Sequence, residues 1–279
     1  MKKITTLFFV VLGITFGSAQ ETENPEFTGE NFSLEGALAL FKKANSLENF
    51  EELLNQENNN VNNLDLNNDG NTDYIIVEDI KENDTHVIVL STYLSETEKQ
   101  DIATIGIEKT GNEEATLQIE GDEDLYAENT IAEPFDVSEN GSGGKSGPNL
   151  PEIITSRIVV NVWLWPVVRY IYAPRYIAWK SPVRFGFYPR WFKQWRPFRY
   201  SVFYTRTAPH RVYYNRTPTR RLVVVRKVYA PRRNHSTIIV HKNNRKTVVI
   251  KNNNRNQKIQ KVARKNNVRP ARTQRNGRR

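Results

Sequence analysis

YIIVEDIKENDTHVIVLSTYL, residues 74 to 94, decides the fold. Its two apolar runs, Tyr74 to Ile80 and His86 to Leu94, are rich in β-branched and aromatic residues, with the polar phrase KENDT between them. That is the pattern of two strands joined by a turn. Downstream, Ile102 to Lys109 and Ala115 to Glu120 repeat it across KTGNEE. Upstream, the period changes. In SLEGALALFKKA, residues 33 to 44, Leu34, Ala37, Leu38 and Phe41 recur at helical spacing behind Ser33, a suitable N-cap. Ser46 opens a second helix, SLENFEELLN, with Leu47, Phe50, Leu53 and Leu54 on one face. Asn49 stands where a capping box has Glu. Glu48, Glu51 and Glu52 read as the solvated side of that helix. Two helices followed by an antiparallel sheet make an α+β domain over residues 20–136. It is long enough for one small core.

The chain opens MKKITTLFFVVLGITFGSAQ. Two lysines, a short apolar run and the small residues Gly17-Ser18-Ala19 have the form of a secretory signal peptide over residues 1–19. The run is too short for a stable membrane span, so the expectation is an exported protein: periplasmic, associated with the outer membrane, or secreted. There is no cysteine, which excludes disulfides, zinc–thiolate sites and cysteine nucleophiles.

Charge divides the chain. Residues 20–150 hold six lysines, no arginine and thirty acids, a formal −24; residues 151–279 hold thirty-two basic residues and one acid, Glu152, a formal +31. Such asymmetry predicts two parts with different partners. VSENGSGGKSGPNLP, residues 137–151, reads as a flexible linker. Its GGKS lacks the first glycine and the preceding strand of a phosphate-binding loop, so no nucleotide site is expected there.

Residues 152–214 contain all five tryptophans and the recurrent phrases YAPRY, FYPRW and WRPFR. Prolines at 166, 174, 182, 189 and 197 forbid long helices and predict short extended segments joined by turns. The uncharged run Ile158 to Val168 suggests a buried strand pair. Residues 215–279 are basic and Asn-rich and read as a largely disordered tail. STIIVHKNN and KTVVIKNNN within it suggest a weak hairpin.

Just before the first strand stands LDLNNDGNTD. Asp65, Asn67, Asp69, Asn71 and Asp73 fall on alternate residues around Gly70, a set of oxygen ligands that suits calcium. The loop resembles the first nine residues of an EF-hand, but position twelve is Ile76 and not a bidentate Glu. It resembles more closely the strand-joining calcium loops of FG-GAP and VCBS repeats, in which the last Asp closes the site. Only one copy occurs, so no propeller is implied. The alternative is an Asn/Asp-rich turn without an ion. A structural, weakly bound calcium ion is the expectation.

The four histidines lack metal-ligand spacing, and His86 sits alone in a strand pattern. Asp122, Glu123 and Asp124 form either a second acidic site or a solvated turn. No G-x-S-x-G, no H-E-x-x-H and no supportable Ser/His/Asp set occurs. The expectation is therefore a non-enzymatic protein. Its contact residues would be Arg169, Arg175, Arg184, Arg190, Arg196 and Arg199 with Trp191 and Trp195. Arginines beside aromatic rings suit polyanionic envelope or matrix components, including membrane surfaces, and equally nucleic acid such as extracellular DNA. A hydrolase is a third reading. The bland alternative makes the aromatics a small core and the arginines its solvated edge.

FSLEGALALFKKANS, the LDLNNDG loop with its following DYI, IEKTG with ATLQIEGDEDLY, and VNVWLWPVVRYIYAPRY together resemble a group of uncharacterised exported proteins from Gram-negative environmental bacteria. The resemblance spans most of residues 31–200 and implies the architecture and the export.

Overall fold

The computed structural model describes residues 25–138, 156–239 and Asn243. The expected signal peptide, the Gly/Ser-rich core of the expected linker, the KTVVIKNNN phrase and the final stretch lie outside the described residues. Helix α1, Leu34–Lys43, starts at Ser33, whose hydroxyl accepts from the Gly36 amide at 3.0 Å. Glu35 in its first turn and Lys42 and Lys43 in its last complement the helix dipole. Helix α2, Leu47–Leu54, starts at Ser46, which accepts from the Asn49 amide at 3.1 Å. Asn49 reaches back to the Asn45 amide at 3.3 Å, so the imperfect capping box still satisfies one free donor.

Strands β1 (Ile76–Glu82), β2 (Thr85–Tyr93), β3 (Lys99–Gly111) and β4 (Glu114–Gly121) follow as an antiparallel meander. The β1–β2 turn places Asn83 at φ 53°, a left-handed position that asparagine tolerates well. β5 (Ile131–Ser138) pairs β4 on one side. On its other side it pairs β7 (Tyr214–Thr217) through Ile131 to Pro134, and its second half, Phe135 to Ser138, pairs β6 (Ser156–Val159). The class is α+β, and the first four strands lie where the alternation puts them.

Side-chain alternation sorts the sheet into two covered faces. Ile88, Leu90, Ile105, Ile107, Leu117 and Ile119 share one core with Leu38 and Phe41 of α1 and with Phe50 and Leu54 of α2. Trp165, Val167, Val168 and Ile171 join it from helix α3, Pro166–Ile171, which begins on its proline. On the opposite face Val87 and Val89 meet Leu222, Val225 and Val228. These belong to helix α5, Val223–Tyr229, and its N-cap. Each such buried side chain contributes about 1.5–3 kcal/mol.

Four expectations are corrected here. Residues 215–239 are not a disordered tail: they carry most of β7 and all of α5, and α5 packs on the second face of the sheet. The STIIV phrase is helical at 237–239 and not part of a hairpin. The run from 158 is no strand pair, because β6 ends at Val159 and Pro166 starts α3. The aromatic segment is also not wholly extended, since it carries α3 and helix α4, Tyr200–Arg206. Both helices are of six or seven residues, within the proline spacing.

Candidate functional site

The Asp-rich loop closes on its own amides. Asp65 accepts from the Asp69 and Gly70 amides, both at 3.0 Å. Asn67 accepts from the Asp69 amide at 3.0 Å, and Asp69 from the Asn71 amide at 2.8 Å. Gly70 sits at φ 85°, where a side chain would be strained. Thus Asp65, Asn67 and Asp69 converge on three successive amides. Asp73 is buried and accepts from the Leu66 amide at 2.7 Å. Among the described residues no group of three acidic, histidine or cysteine side chains is placed to hold a metal ion. The expectation of calcium at Asp65, Asn67, Asp69, Asn71 and Asp73 rests on the donor chemistry of these side chains, since no preformed cage stands among the described residues.

The loop also grips the aromatic segment. The Thr72 amide donates to the Trp195 carbonyl at 2.8 Å. Asn63 acts as a backbone mimic: its Nδ2 donates to the Phe198 carbonyl at 3.0 Å, and its Oδ1 accepts from the Phe198 amide at 2.7 Å. Asn55 holds Ile75 in the same manner, and Asn62 donates to the Asp73 carbonyl at 2.8 Å while accepting from the Leu64 amide at 3.1 Å. Tyr74 then packs on Tyr188, Trp191 and Phe192. Trp195 is 6% exposed and packs with Tyr74, Ile76, Val183 and Phe192, so its assignment as a ligand-stacking residue is corrected: the ring is core. Trp191 keeps 44% of its surface exposed.

The basic residues divide into two sets. From 216 onward five arginines answer the acids of the sheet domain, while Arg226 and Lys227 stay exposed. Arg216 pairs with Glu35, Arg220 with Glu120, Arg221 with Glu133, and Arg232 with Glu82. Arg233 donates to Asp122 at 2.6 Å and to Asp124 at 2.5 Å, and reaches Glu123 at 2.9 Å. The hydrogen bond to Asp122 raises the Arg233 pKa, so the guanidinium stays charged. Asp122, Glu123 and Asp124 are consequently neither a metal site nor a merely solvated turn; they are the counter-ions of one arginine. The upstream set differs. Arg169, Arg175, Arg184, Arg190, Arg196 and Arg199 are all exposed. Among the described residues, no ion pair engages them.

Several buried polar groups also join the two halves. Glu51, expected on a solvated helix face, is buried and accepts from the Val77 amide, the Tyr74 hydroxyl and the Ser181 hydroxyl. His86 has a partner after all: its Nδ1 lies 2.8 Å from Asp79 Oδ2, to which Tyr176 also donates at 2.8 Å. Asp101 accepts from Ser91 and Tyr229, at 2.7 and 2.8 Å. The described residues leave open clefts that include ones of 210 and 320 Å³. The larger one places Glu30 and Glu35 among Tyr200, Phe203 and Tyr204. Tyr200 donates to Glu30 at 2.9 Å and Arg216 to Glu35 at 2.8 Å, so both carboxylates are engaged.

Comparison with protein-family models, with curated proteins and with solved structures gives no match.

Proposed function

We propose that this is an exported, non-enzymatic binding protein that associates with polyanionic envelope or matrix components through residues 169–199. One observation carries the reading: the arginines are partitioned. The domain's carboxylates are answered by Arg216, Arg220, Arg221, Arg232 and Arg233, while the six upstream arginines stay exposed outside any ion pair among the described residues. A guanidinium with no internal carboxylate offers its planar fork to sulfate, phosphate or carboxylate groups of a ligand. Trp191 alone supplies an exposed indole beside this set, which favours charge recognition over the serial base stacking of a single-strand binder. Export is supported by the leader-like first nineteen residues and by the resemblance of residues 31–200 to exported proteins. Calcium belongs to the same reading as a structural ion at the loop that grips Trp195 and Phe198.

Retention on heparin tests the surface. Replacing Arg169, Arg175, Arg184, Arg190, Arg196 and Arg199 by Gln lowers the salt needed for elution, while stability stays within about 0.5 kcal/mol because the sites are exposed. Elution at unchanged salt overturns the reading. Calcium is tested on the same mature chain. Affinity on the order of 0.1–1 mM is expected for such a loop, so millimolar calcium raises the Tm over chelator, and Asp69→Ala removes the rise. An identical Tm with and without calcium leaves the loop closed by its amides alone.

A further inference from the structure

The aromatic segment runs antiparallel along the free edge of β1. Tyr176 lies under Lys81, whose ammonium is 5.9 Å from the ring. The Asp79 amide donates to the Trp179 carbonyl at 2.8 Å, and Ser181 donates to Val77 at 3.0 Å. Tyr188, Trp191 and Phe192 reach Tyr74, and Trp195 reaches Thr72. The edge strand is thereby covered, which removes a template for strand addition. Val183, Phe192 and Trp195 point into the molecule and are buried. The outward side carries the opposite chemistry from a solvated edge: Ile177 is 86% exposed and Phe187 80%. Phe187 stands at the end of a tight turn, where its amide donates to the Arg184 carbonyl at 3.0 Å across Gly186 at φ 75°. Arg175 and Lys180 flank Ile177 in the chain, Arg184 and Arg190 flank Phe187, and all four are exposed. Acidic groups meet the segment at Glu78, which pairs with Lys180 and Lys99, at Asp79 and Glu51, which accept from Tyr176 and Ser181 on its inner side, and at the Asp-rich loop near Tyr188.

A soluble polyanion uses the cations and has no use for exposed isoleucine and phenylalanine. A bilayer surface uses both: phosphates take the guanidiniums, the headgroup region takes indole and phenol rings, and the acyl boundary takes the aliphatic and phenyl side chains. We propose that the β1-edge rim docks on an anionic lipid surface, with Ile177, Phe187 and Trp191 at the headgroup–acyl boundary and Arg175, Arg184 and Arg190 on lipid phosphates. This rests on the polyanion reading for its cations and adds a lipid requirement through its apolar side chains. The contact is peripheral, because no helix among the described residues is long and apolar enough to cross a membrane.

The mature chain is tested against vesicles of phosphatidylglycerol with phosphatidylcholine, vesicles of phosphatidylcholine alone, and heparin. Wild type binds the anionic vesicles with a blue shift of tryptophan emission. The pair Ile177→Ser and Phe187→Ser, both exposed and outside the core, lowers vesicle affinity by at least about tenfold, since both apolar side chains are then lost from the acyl boundary. The same pair leaves heparin retention unchanged. Arg175→Gln, Arg184→Gln and Arg190→Gln together weaken both. Heparin binding without vesicle binding overturns the lipid inference and leaves the polyanion reading standing; loss of both in wild type overturns both. Vesicle binding unaffected by the serine pair also overturns the inference, as does a dimer that this pair dissociates without changing vesicle affinity, which makes the rim a self-contact.

Discussion

Glu51 is one carboxylate serving three elements. It sits on α2, accepts from the Val77 amide of β1 at 3.0 Å, and accepts from Ser181 of the aromatic segment at 2.7 Å. Burial raises its pKa above 4.5, and the three donors offset only part of that rise. A carboxyl group with a raised folded-state pKa binds its proton more tightly in the native protein. Its stabilising contribution is complete below pH 4.5 and is lost as pH rises through the folded value. The stability of wild type relative to Glu51→Gln therefore falls as pH rises from 4.5 toward neutrality, measured by urea unfolding across that range; a relative stability that rises refutes the assignment. Residues 47, 50, 51 and 54 form one helical stripe, so the position of Glu51 was legible in the spacing, and only its charge argued for solvent. Trp195 was not legible. An indole beside arginine has the same local pattern whether it stacks on a ligand or fills a core, and the deciding neighbours, Tyr74 and Ile76, lie more than a hundred residues away.

Helix α5 lies beyond local reading for a related reason. LVVVRKVY is β-branched and basic, which lowers helix propensity and suggests an unstructured tail. Burial of Leu222, Val225 and Val228 against Val87 and Val89 outweighs that preference. By contrast α1, α2 and β1 to β4 carry their period and their caps within ten or so residues, and they are found where the pattern puts them. The arginine partition likewise depends on acids distant in sequence, such as Arg216 on Glu35. Gly106 of β3 is the point at which α5 approaches the sheet: a Cβ there would stand 2.6 Å from both γ-methyls of Val225. Gly106→Ala thus forces α5 outward and destabilises by about 1–3 kcal/mol. Val225→Ala costs stability by itself but relieves the clash, so in chemical denaturation the double variant is more stable than the sum of the single effects. Additive effects would place α5 elsewhere.

Charge alone suggests a −24 domain and a +31 arm meeting across a flexible linker, a contact that salt would screen. The whole molecule is joined differently. Trp165, Val167, Val168 and Ile171 share one core with α1 and α2, and Leu222, Val225 and Val228 close the other face of the sheet. Tyr214 is buried within β7, which extends the sheet through β5. The ion pairs add to this without carrying it. Arg232 and Glu82 are half exposed at 3.7 Å, and such pairs contribute at most about 1 kcal/mol. Asp122 is buried beneath Arg233 and is poorly reached by salt. The halves are thus two parts of one hydrophobic core, and neither covers the sheet by itself. A protease site placed within residues 139–155 gives the test. After cleavage the two fragments remain together on size exclusion even at about 1 M salt, where the Debye length is near 3 Å, and they separate only in denaturant, in one cooperative transition. Fragments that part at high salt while each stays folded would mean that opposite charge, and not the shared core, holds the molecule together.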